Sequence, residues 1–493
     1  MTEKLRELPT VRIQKVTLEN FKSVEYGEME MACGKKFVPY DTQSDILGIY
    51  GQNGSGKTSM IEALAILKYL VMGDTIPDDY ADCIREGKES SRLKYTFDFQ
   101  YPNGDIRKVI YEVTISIIEP DLSKNEFEEN YSEDVARKRR EPKYLVKVKR
   151  ECVKVSGDFY GGKLKLQPII DTSAGDPFGP VSKRKEFVEG TNDISKLSAN
   201  KSLAWNLSKS FVFMDETTDV FETKSAESEF VNILLDLKLF ASAYLYVVDT
   251  KSSGLIRLNV ALPVIFRRIH GNQILTRNRI ILGIDAPNKL PQEIFDDITD
   301  VFNNINIVLK TLIPGLTIGL KDLGPVLTRT GKTYRYSEVI ANRDGVELPL
   351  RYESDGVKKI ISTLQLFIEA YNDSSMTVAI DEFDAGVFEY LLGEMLTIFE
   401  EYGKGQFIFT SHNLRPLEVI NKNFICFTTT AADDRYTRID NVKPNNNLRN
   451  VYFKEIELGG EEVDLYASEK KYKIVQALRK AGKVVGKKNE DEE

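Results

Sequence analysis

The length of 493 residues predicts two or three domains, because a domain averages roughly 150 residues. Hydrophobic residues make up 42% of the chain and charged residues 29%, a balance that excludes a disordered or fibrous protein. The net charge of −8 repels phosphate, so any contact with nucleic acid requires a local basic patch.

The N-terminal residues are charged where a secretory signal needs an apolar core, and no stretch reaches the roughly 18 apolar residues of a membrane span. We therefore expect a cytoplasmic protein without membrane contact. The cysteines form no CxxC pair, which argues against a zinc ribbon, and the only histidines, His270 and His412, argue against a His-rich metal site.

The first elements predict a strand, a loop and a helix. Val11–Val24 alternates like a strand that runs into a turn, and Ile46–Tyr50 is a short apolar run that ends at a glycine. In Thr58–Met72 the apolar residues recur at helical spacing. A strand followed by a glycine-rich loop and a helix is the usual setting of a phosphate-binding loop.

The next segment predicts an antiparallel β lobe beside this core. Arg92–Ile118 alternates on both sides of the turn signal Pro102–Asp105, as in a hairpin. From Glu119 to Ser210 the composition is charged and glycine-rich with poor periodicity. We interpret that stretch as an irregular insertion.

Three further segments carry regular patterns. Phe230–Val248 and Gln292–Leu312 are interpreted as helices, the second ending before Pro314, and Tyr334–Leu350 as strands that turn at Asp344–Gly345. The chain lacks a sustained heptad pattern, which excludes a long coiled-coil arm.

Residues 51–58, GQNGSGKT, match the phosphate-loop pattern G-x-x-x-x-G-K-[ST] in full. Its glycines let backbone N–H groups curl around phosphates, Lys57 reaches the outer phosphate oxygens, and Thr58 holds Mg²⁺. A glycine turn without a ligand is the plainer alternative. The predicted nucleotide contacts are Gly51, Asn53, Gly54, Ser55, Gly56, Lys57, Thr58 and Ser59.

An apolar strand, Met376–Ile380, ends in Asp381 and Glu382. Strand ends are where ligands bind in α/β sheets, so we expect Asp381 to hold Mg²⁺ and Glu382 to act as a general base beside the phosphate loop. A solvated acidic turn is the alternative. The strand Phe407–Ser411 follows and places His412 at its end, where it is either a γ-phosphate contact or a capping histidine.

Ser354-Asp355-Gly356 precedes a helix with one apolar face. The free N–H groups behind a serine N-cap form either an ordinary helix start or an anion site for a phosphate from another subunit. We therefore add Ser354 and Gly356 to the predicted nucleotide contacts.

These motifs, in this order, resemble the ABC-type ATPase heads of the RecF, SMC and OLD group, and LENFKSV at Leu18–Val24 is similar to the group's first strand. The resemblance implies an α/β P-loop NTPase fold that hydrolyses Mg-ATP, cofactors ATP and Mg²⁺, and a homodimer or higher homo-oligomer. It implies that Ser354 and Gly356 form a signature motif that completes the partner's site, and that residues 384–388 form the D-loop. The Q-loop glutamine is not placed, and Gln100 is a weak candidate.

The predicted architecture is an ABC-type head with a flanking antiparallel β lobe and a central mixed insertion. Its divisions are residues 1–118, the first half of the head; 119–330, the insertion; 331–460, the second half; and 461–493, a C-terminal helix with a charged tail. The run Leu448–Gly460 is similar to the end of such heads.

The resemblance extends to ATPase subunits of two-gene anti-phage systems such as PARIS and Septu, which implies a sensor that holds or releases a separate effector encoded nearby, on a DNA or phage-protein trigger. We expect no nuclease activity in this chain, because no pair of acidic metal clusters follows His412. The alternative is a RecF-like DNA-repair ATPase that uses the basic run Val135–Arg150. A third is a nucleotide-bound scaffold with negligible turnover, against which Glu382 argues.

Overall fold

The structure is a computed structural model that describes residues 8–31, 44–119, 144–249, 262–270, 273–327, 333–431, 433–438, 447–452 and 476–478, with the side chains of 266–279 left outside the description. The strands are β1 Thr10–Phe21, β2 Val24–Glu30, β3 Asp45–Tyr50, β4 Ser90–Gln100, β5 Ile106–Ile118, β6 Leu145–Phe159, β7 Gly162–Asp171, β8 Leu245–Val248, β9 Leu262–His270, β10 Gln273–Leu282, β11 Asn288–Pro291, β12 Leu316–Leu327, β13 Thr333–Arg343, β14 Val346–Pro349, β15 Thr377–Ile380, β16 Gln406–Thr410, β17 Ile425–Thr428 and β18 Tyr436–Thr437. The α-helices are α1 Lys57–Met72, α2 Thr191–Leu207, α3 Asp215–Glu222, α4 Glu229–Leu239, α5 Gln292–Leu312, α6 Asp355–Asn372, α7 Glu389–Tyr402 and α8 Pro416–Val419.

A six-stranded sheet in the order β18-β17-β3-β16-β15-β8 forms the centre of the molecule. All of its neighbours pair in parallel except β18, which is antiparallel to β17. Because these strands are parallel, β3, β15 and β16 all end at the same edge of the sheet. That edge carries three of the predicted motifs.

The apolar residues of this sheet alternate between two hydrophobic cores. Leu47 and Ile49 of β3 face the core that contains α1, while Ile46 and Tyr50 face the core that contains α6. The same parity holds in β15, where Ala379 faces the first core and Val378 the second. Successive side chains of a strand point to opposite faces, so these short apolar runs are explained by burial on both sides.

The predicted antiparallel lobe is a six-stranded sheet in the order β2-β1-β4-β5-β6-β7. The hairpin predicted around Pro102–Asp105 is confirmed as β4 and β5. The reading of 119–210 as irregular is wrong for the described part: β6 and β7 extend the same sheet to Asp171, and α2 follows. Long-range pairing organises these polar strands, which lack a clear periodic signal of their own.

Phe230–Val248 is only partly the predicted helix. α4 ends at Leu239, a π-helical turn covers Phe240–Tyr244, and Leu245–Val248 forms β8, which pairs with β15. A short apolar run such as Leu245–Val248 fits a buried strand as well as the end of a buried helix, so periodicity alone did not distinguish the two.

The remaining predicted elements agree with the structure. α5 covers Gln292–Leu312 as predicted, and β13 and β14 turn at Asp344 and Gly345, which have φ angles of 50° and 88°. Positive φ at both turn residues matches the twist of an antiparallel pair. α5 packs its apolar face on the sheet that β11, β12, β13 and β14 form.

The bounds 1–118, 119–330, 331–460 and 461–493 remain predictions as domain divisions. The segment 119–330 nevertheless supplies β6 and β7 to the antiparallel sheet and β8 to the parallel sheet. Most of Leu448–Gly460 and of 461–493 lies outside the described residues. Among the described helices, none is long and apolar enough to cross a membrane.

A buried amide and a buried guanidinium join the two large sheets. The Gln406 side chain on β16 donates to the carbonyl of Ile13 at 2.8 Å and to Asp45 at 2.8 Å, and it accepts from the Ile13 N–H at 3.2 Å. Arg12 on β1 donates to the carbonyls of Ser374 and Lys404. The antiparallel lobe is therefore fixed to the parallel sheet by directional contacts as well as by apolar packing.

We expect Gln406→Ala to lower the free energy of unfolding by about 2–4 kcal/mol, because it removes the buried hydrogen bonds of this side chain to Ile13 and Asp45. Chemical denaturation measures this loss. The matched control is Gln167→Ala, at a half-buried position on β7, with an expected change within about 0.5 kcal/mol. Equal stability of the two variants would contradict the bridging role.

Candidate functional site

The phosphate loop connects β3 to α1 at the edge of the parallel sheet. Gly51, Gly54 and Gly56 have φ angles of 153°, 78° and 101°, in a backbone region that residues other than glycine rarely adopt. A Cβ on Gly51 would lie 1.9 Å from the Thr428 hydroxyl oxygen. The glycines therefore serve both the turn and the close packing beneath it.

Lys57 folds back over this loop. Its ammonium donates to the carbonyls of Gly51 at 2.8 Å and Gln52 at 2.9 Å. Burial lowers the pKa of Lys57, and the nearby carboxylate of Asp381 opposes that shift. The ammonium is held at the mouth of the loop, where an incoming phosphate would find it oriented.

Asp381 follows β15 and is buried among hydroxyl groups. Thr410 donates to its carboxylate at 2.5 Å, and the hydroxyl oxygen of Thr58 lies 3.5 Å from the same carboxylate oxygen. Neighbouring ligands of an octahedral Mg²⁺ lie roughly 3 Å apart, so Thr58 and Asp381 fit as two ligands of one ion. Within the described residues no group of three His, Cys, Asp or Glu side chains forms a metal site.

Glu382 has a left-handed backbone, with φ of 48°. Its N–H donates to the hydroxyl of Thr410 at 2.8 Å, which holds this uncommon conformation. A non-glycine residue in this region costs about 1–3 kcal/mol, and such strain concentrates at functional sites. Glu382 lines the cavity at the sheet edge.

His412 follows β16 and is exposed. The carboxylate of Asp384 accepts hydrogen bonds from the backbone N–H groups of His412 at 3.1 Å and Asn413 at 2.9 Å. The loop after β15 therefore fixes the loop that carries the histidine. Sequence reasoning placed Asp384 in a D-loop by resemblance but did not predict this contact.

A cavity of about 360 Å³ collects these groups. Of the predicted residues, its wall contains Asn53, Gly54, Gly56, Lys57, Thr58, Ser59, Asp381, Glu382 and His412. Gly51 and Ser55 support it from behind, with Ser55 donating to the Gln52 carbonyl at 2.7 Å. β16 separates β3 from β15, so the acidic pair reaches the cavity across an intervening strand rather than from the neighbouring one.

Sequence reasoning missed three residues of the wall: Thr410, which lies in the predicted strand Phe407–Ser411, and the neighbours Lys22 and Ser23. Lys22 has φ of 50° and donates to Glu62 of α1 at 2.6 Å, and Ser23 donates to the Gly54 carbonyl at 3.2 Å. They belong to the run LENFKSV, which was interpreted only as a strand and a turn. A lysine beside a serine at the end of that strand was the available signal.

It also missed the residues that support the phosphate loop from β17 and β18. Tyr436 donates to the Gly56 carbonyl at 2.8 Å, Arg435 donates to the Ser23 carbonyl, and the Thr428 hydroxyl contacts that of Ser55. These contacts span more than 370 positions along the chain. No local pattern in the sequence indicates them.

Ser354 and Gly356 do not line this cavity. Ser354 caps α6 by accepting from the Val357 N–H at 3.3 Å, as its cap role predicts. Gly356 touches the segment predicted as a D-loop, since a Cβ at this glycine would lie 2.1 Å from the Gly386 carbonyl oxygen. Position 356 therefore requires a glycine because of a contact within one chain.

One weaker candidate, Gln100, does not join the site. Gln100 ends β4 and is not part of the cavity wall. The side chain of His270 lies outside the described residues. The structure therefore gives no support to Gln100 as the Q-loop glutamine.

Residues 15–237 match the family model of the AAA domain. The SMC head domain from Thermotoga maritima is 13% identical, with 87% of this chain and 99% of that chain covered at a TM-score of 0.35. The Smc head domain derived from Pyrococcus furiosus, bound to the C-terminal domain of ScpA, is also 13% identical, with 87% and 96% covered at 0.36. The recombination mediator RecF is 10% identical, with 87% and 99% covered at 0.34. Among curated proteins, no sequence match was found.

We expect Gly356→Ala to abolish most ATP hydrolysis while leaving ATP affinity within about twofold, because the new methyl group displaces the Gly386 segment and not the cavity wall. Nucleotide binding by calorimetry and phosphate release measure the two effects separately. Gly161→Ala is the control, since a Cβ there meets open space. Unchanged hydrolysis in Gly356→Ala would show that the contact has no role.

Proposed function

We propose that this chain binds Mg-ATP in the 360 Å³ cavity and hydrolyses it. The observation that carries the proposal is the convergence of Lys57, Thr58, Asp381, Glu382 and His412 on one wall at the edge of the parallel sheet. The AAA-domain match supports it, since residues 15–237 include the phosphate loop.

Each side chain has a role that follows from its position. Lys57 and the loop N–H groups bind the phosphates, and Thr58 and Asp381 hold Mg²⁺, which neutralises phosphate charge when bound. Glu382 orients the attacking water and accepts its proton. His412, which Asp384 fixes through its backbone, donates a hydrogen bond to the γ-phosphate.

We infer that hydrolysis requires a second copy of the chain. Ser354 and Gly356 begin α6 but stand outside the cavity wall. A helix start with free N–H groups favours a phosphate, and a neighbouring copy can present it to the open cavity. Homodimers, or higher homo-oligomers, would then form around ATP.

We expect Glu382→Gln to lower the rate of phosphate release at least about 100-fold, the usual contribution of a general base, while ATP stays bound and the dimer becomes more stable. Single-turnover hydrolysis and light scattering with ATP measure both. Glu394→Gln, an exposed position on α7, is the matched control. Hydrolysis by Glu382→Gln at the wild-type rate would refute the role.

At the finer level we propose a cytoplasmic sensor subunit of an anti-phage defence system that holds or releases a separate effector protein according to its nucleotide state. Exposed apolar side chains on the sheet of β11–β14 support a protein partner, namely Leu323, Leu327, Val346 and Leu348. Leu327 at the end of β12 is the most exposed of the four, and exposed apolar surface favours docking where it is contiguous.

The test is to express the chain with its neighbouring genes, recover it with and without ATP, and measure phosphate release with and without DNA. We expect a partner protein whose retention depends on ATP and is lost in Lys57→Ala. Leu327→Asp should weaken retention without changing basal hydrolysis, because Leu327 is exposed and does not line the cavity. DNA-stimulated hydrolysis without a partner would instead favour the RecF-like repair ATPase.

A further inference from the structure

A second cavity, of about 410 Å³, lies at the far side of the antiparallel sheet from the phosphate loop. β6, the C-terminal end of α2 and the residues that follow α2 form its wall. In the sheet order, β1, which leads to Lys22, and β6 are separated by β4 and β5. The two cavities are therefore separate sites.

Four cationic side chains line this second cavity: Lys149, Arg150, Lys201 and Lys209. Arg150 pairs with Asp171 at 2.6 Å, and Lys201 donates to the Thr172 carbonyl at 2.7 Å. The side chains of Lys149 and Lys209 make no hydrogen bond or ion pair with any residue that the structure describes. The pKa of Asp215 is lowered by its hydrogen bond to Lys238 and, to a smaller extent, by the charge of Lys209. Two ammonium groups are thus available to a ligand in a chain whose net charge is −8.

The carboxylates of the wall do not neutralise these ammonium groups. Glu151 is buried and accepts from Tyr111 at 2.6 Å, Ser210 at 2.5 Å and the Phe211 N–H at 2.7 Å. Burial raises the pKa of Glu151. Asp176 faces Lys201 at 3.9 Å. The balance of the cavity therefore favours an anion.

Trp205 is the only tryptophan of the chain, and it lies in the cavity wall with 39% of its surface exposed. An exposed indole beside ammonium groups combines a flat apolar surface with positive charge. Stacking of a base on an aromatic ring contributes about 1–3 kcal/mol, and ammonium groups bind phosphate. A ligand that carries both a planar base and a phosphate group can make both contacts.

We propose that this cavity binds a phosphorylated nucleoside, with the base stacked on Trp205 and the phosphate between Lys149 and Lys209. A free nucleotide and the phosphorylated end of a nucleic-acid strand both present this chemistry. Lys149 and Arg150 also belong to the basic run Val135–Arg150, most of which lies outside the described residues. The site is independent of ATP hydrolysis at the phosphate loop.

Tryptophan fluorescence tests the site directly, because all the signal comes from Trp205. The Lys57→Ala chain is titrated with adenosine 5′-monophosphate and with adenosine. We expect saturable quenching by the monophosphate, with an affinity at least about tenfold higher than that of adenosine, a difference of about 1.4 kcal/mol. Added salt should weaken binding of the monophosphate and leave binding of adenosine unchanged.

Charge reversal supplies the matched variants. Lys149→Glu with Lys209→Glu should remove the preference for the monophosphate, while Lys165→Glu, at an exposed position on β7, should retain it. Unchanged emission of ligand-free Trp205 and unchanged thermal unfolding confirm that the double variant is folded. Equal quenching in both charge-reversal variants would overturn the proposal.

Short oligonucleotides distinguish the two sources of the ligand. Quenching by a 5′-phosphorylated trinucleotide but not by its unphosphorylated form assigns a strand end, and quenching by the mononucleotide alone assigns a free nucleotide. If neither quenches Trp205 at millimolar concentration, the proposal is wrong. Because this readout needs no phosphate release, its failure is distinct from a failure of the proposed ATPase activity.

Discussion

The hydroxyl group of Thr410 holds the candidate site together. It donates to the carboxylate of Asp381 and accepts from the N–H of Glu382. One side chain on β16 thus fixes both acidic residues that follow β15 and supports the left-handed backbone of Glu382. A hydroxyl can do this because it donates and accepts at once, which neither valine nor alanine at the same position can do.

Around that hydroxyl group the site is built from loops that constrain one another. Asp384 ties the loop after β15 to the loop after β16, and Gly386 touches the start of α6. Tyr436 of β18, on the other side of β3 from β16, donates a hydrogen bond to the phosphate loop. The loops lie on rigid strand ends, so their relative positions depend on the register of the parallel sheet.

The sequence predicted the parts of this arrangement that local chemistry determines. The phosphate loop, the acidic pair, the cap at Ser354 and the turn at Asp344–Gly345 each require particular residue types at fixed spacing. The sequence did not predict the elements whose structure depends on pairing with distant segments of the chain. β8 was taken for a helix end because a run of four apolar residues has no period. Lys22 was overlooked because its place in the wall depends on contacts between the antiparallel sheet and the phosphate loop. The polar strands β6 and β7 were taken for an irregular segment for the same reason: pairing with β5, not composition, makes them strands.

The end of α1 links the phosphate loop to a distant part of the molecule. Gly73 closes the helix with φ of 75°, and a Cβ there would lie 2.4 Å from the carbonyl oxygen of Phe213, while the Ile76 N–H donates to the Ser208 carbonyl at 3.0 Å. The 16-residue helix is roughly 24 Å long and cannot slide past that contact. The phosphate loop and the backbone that follows Trp205 are therefore anchored to the two ends of one helix.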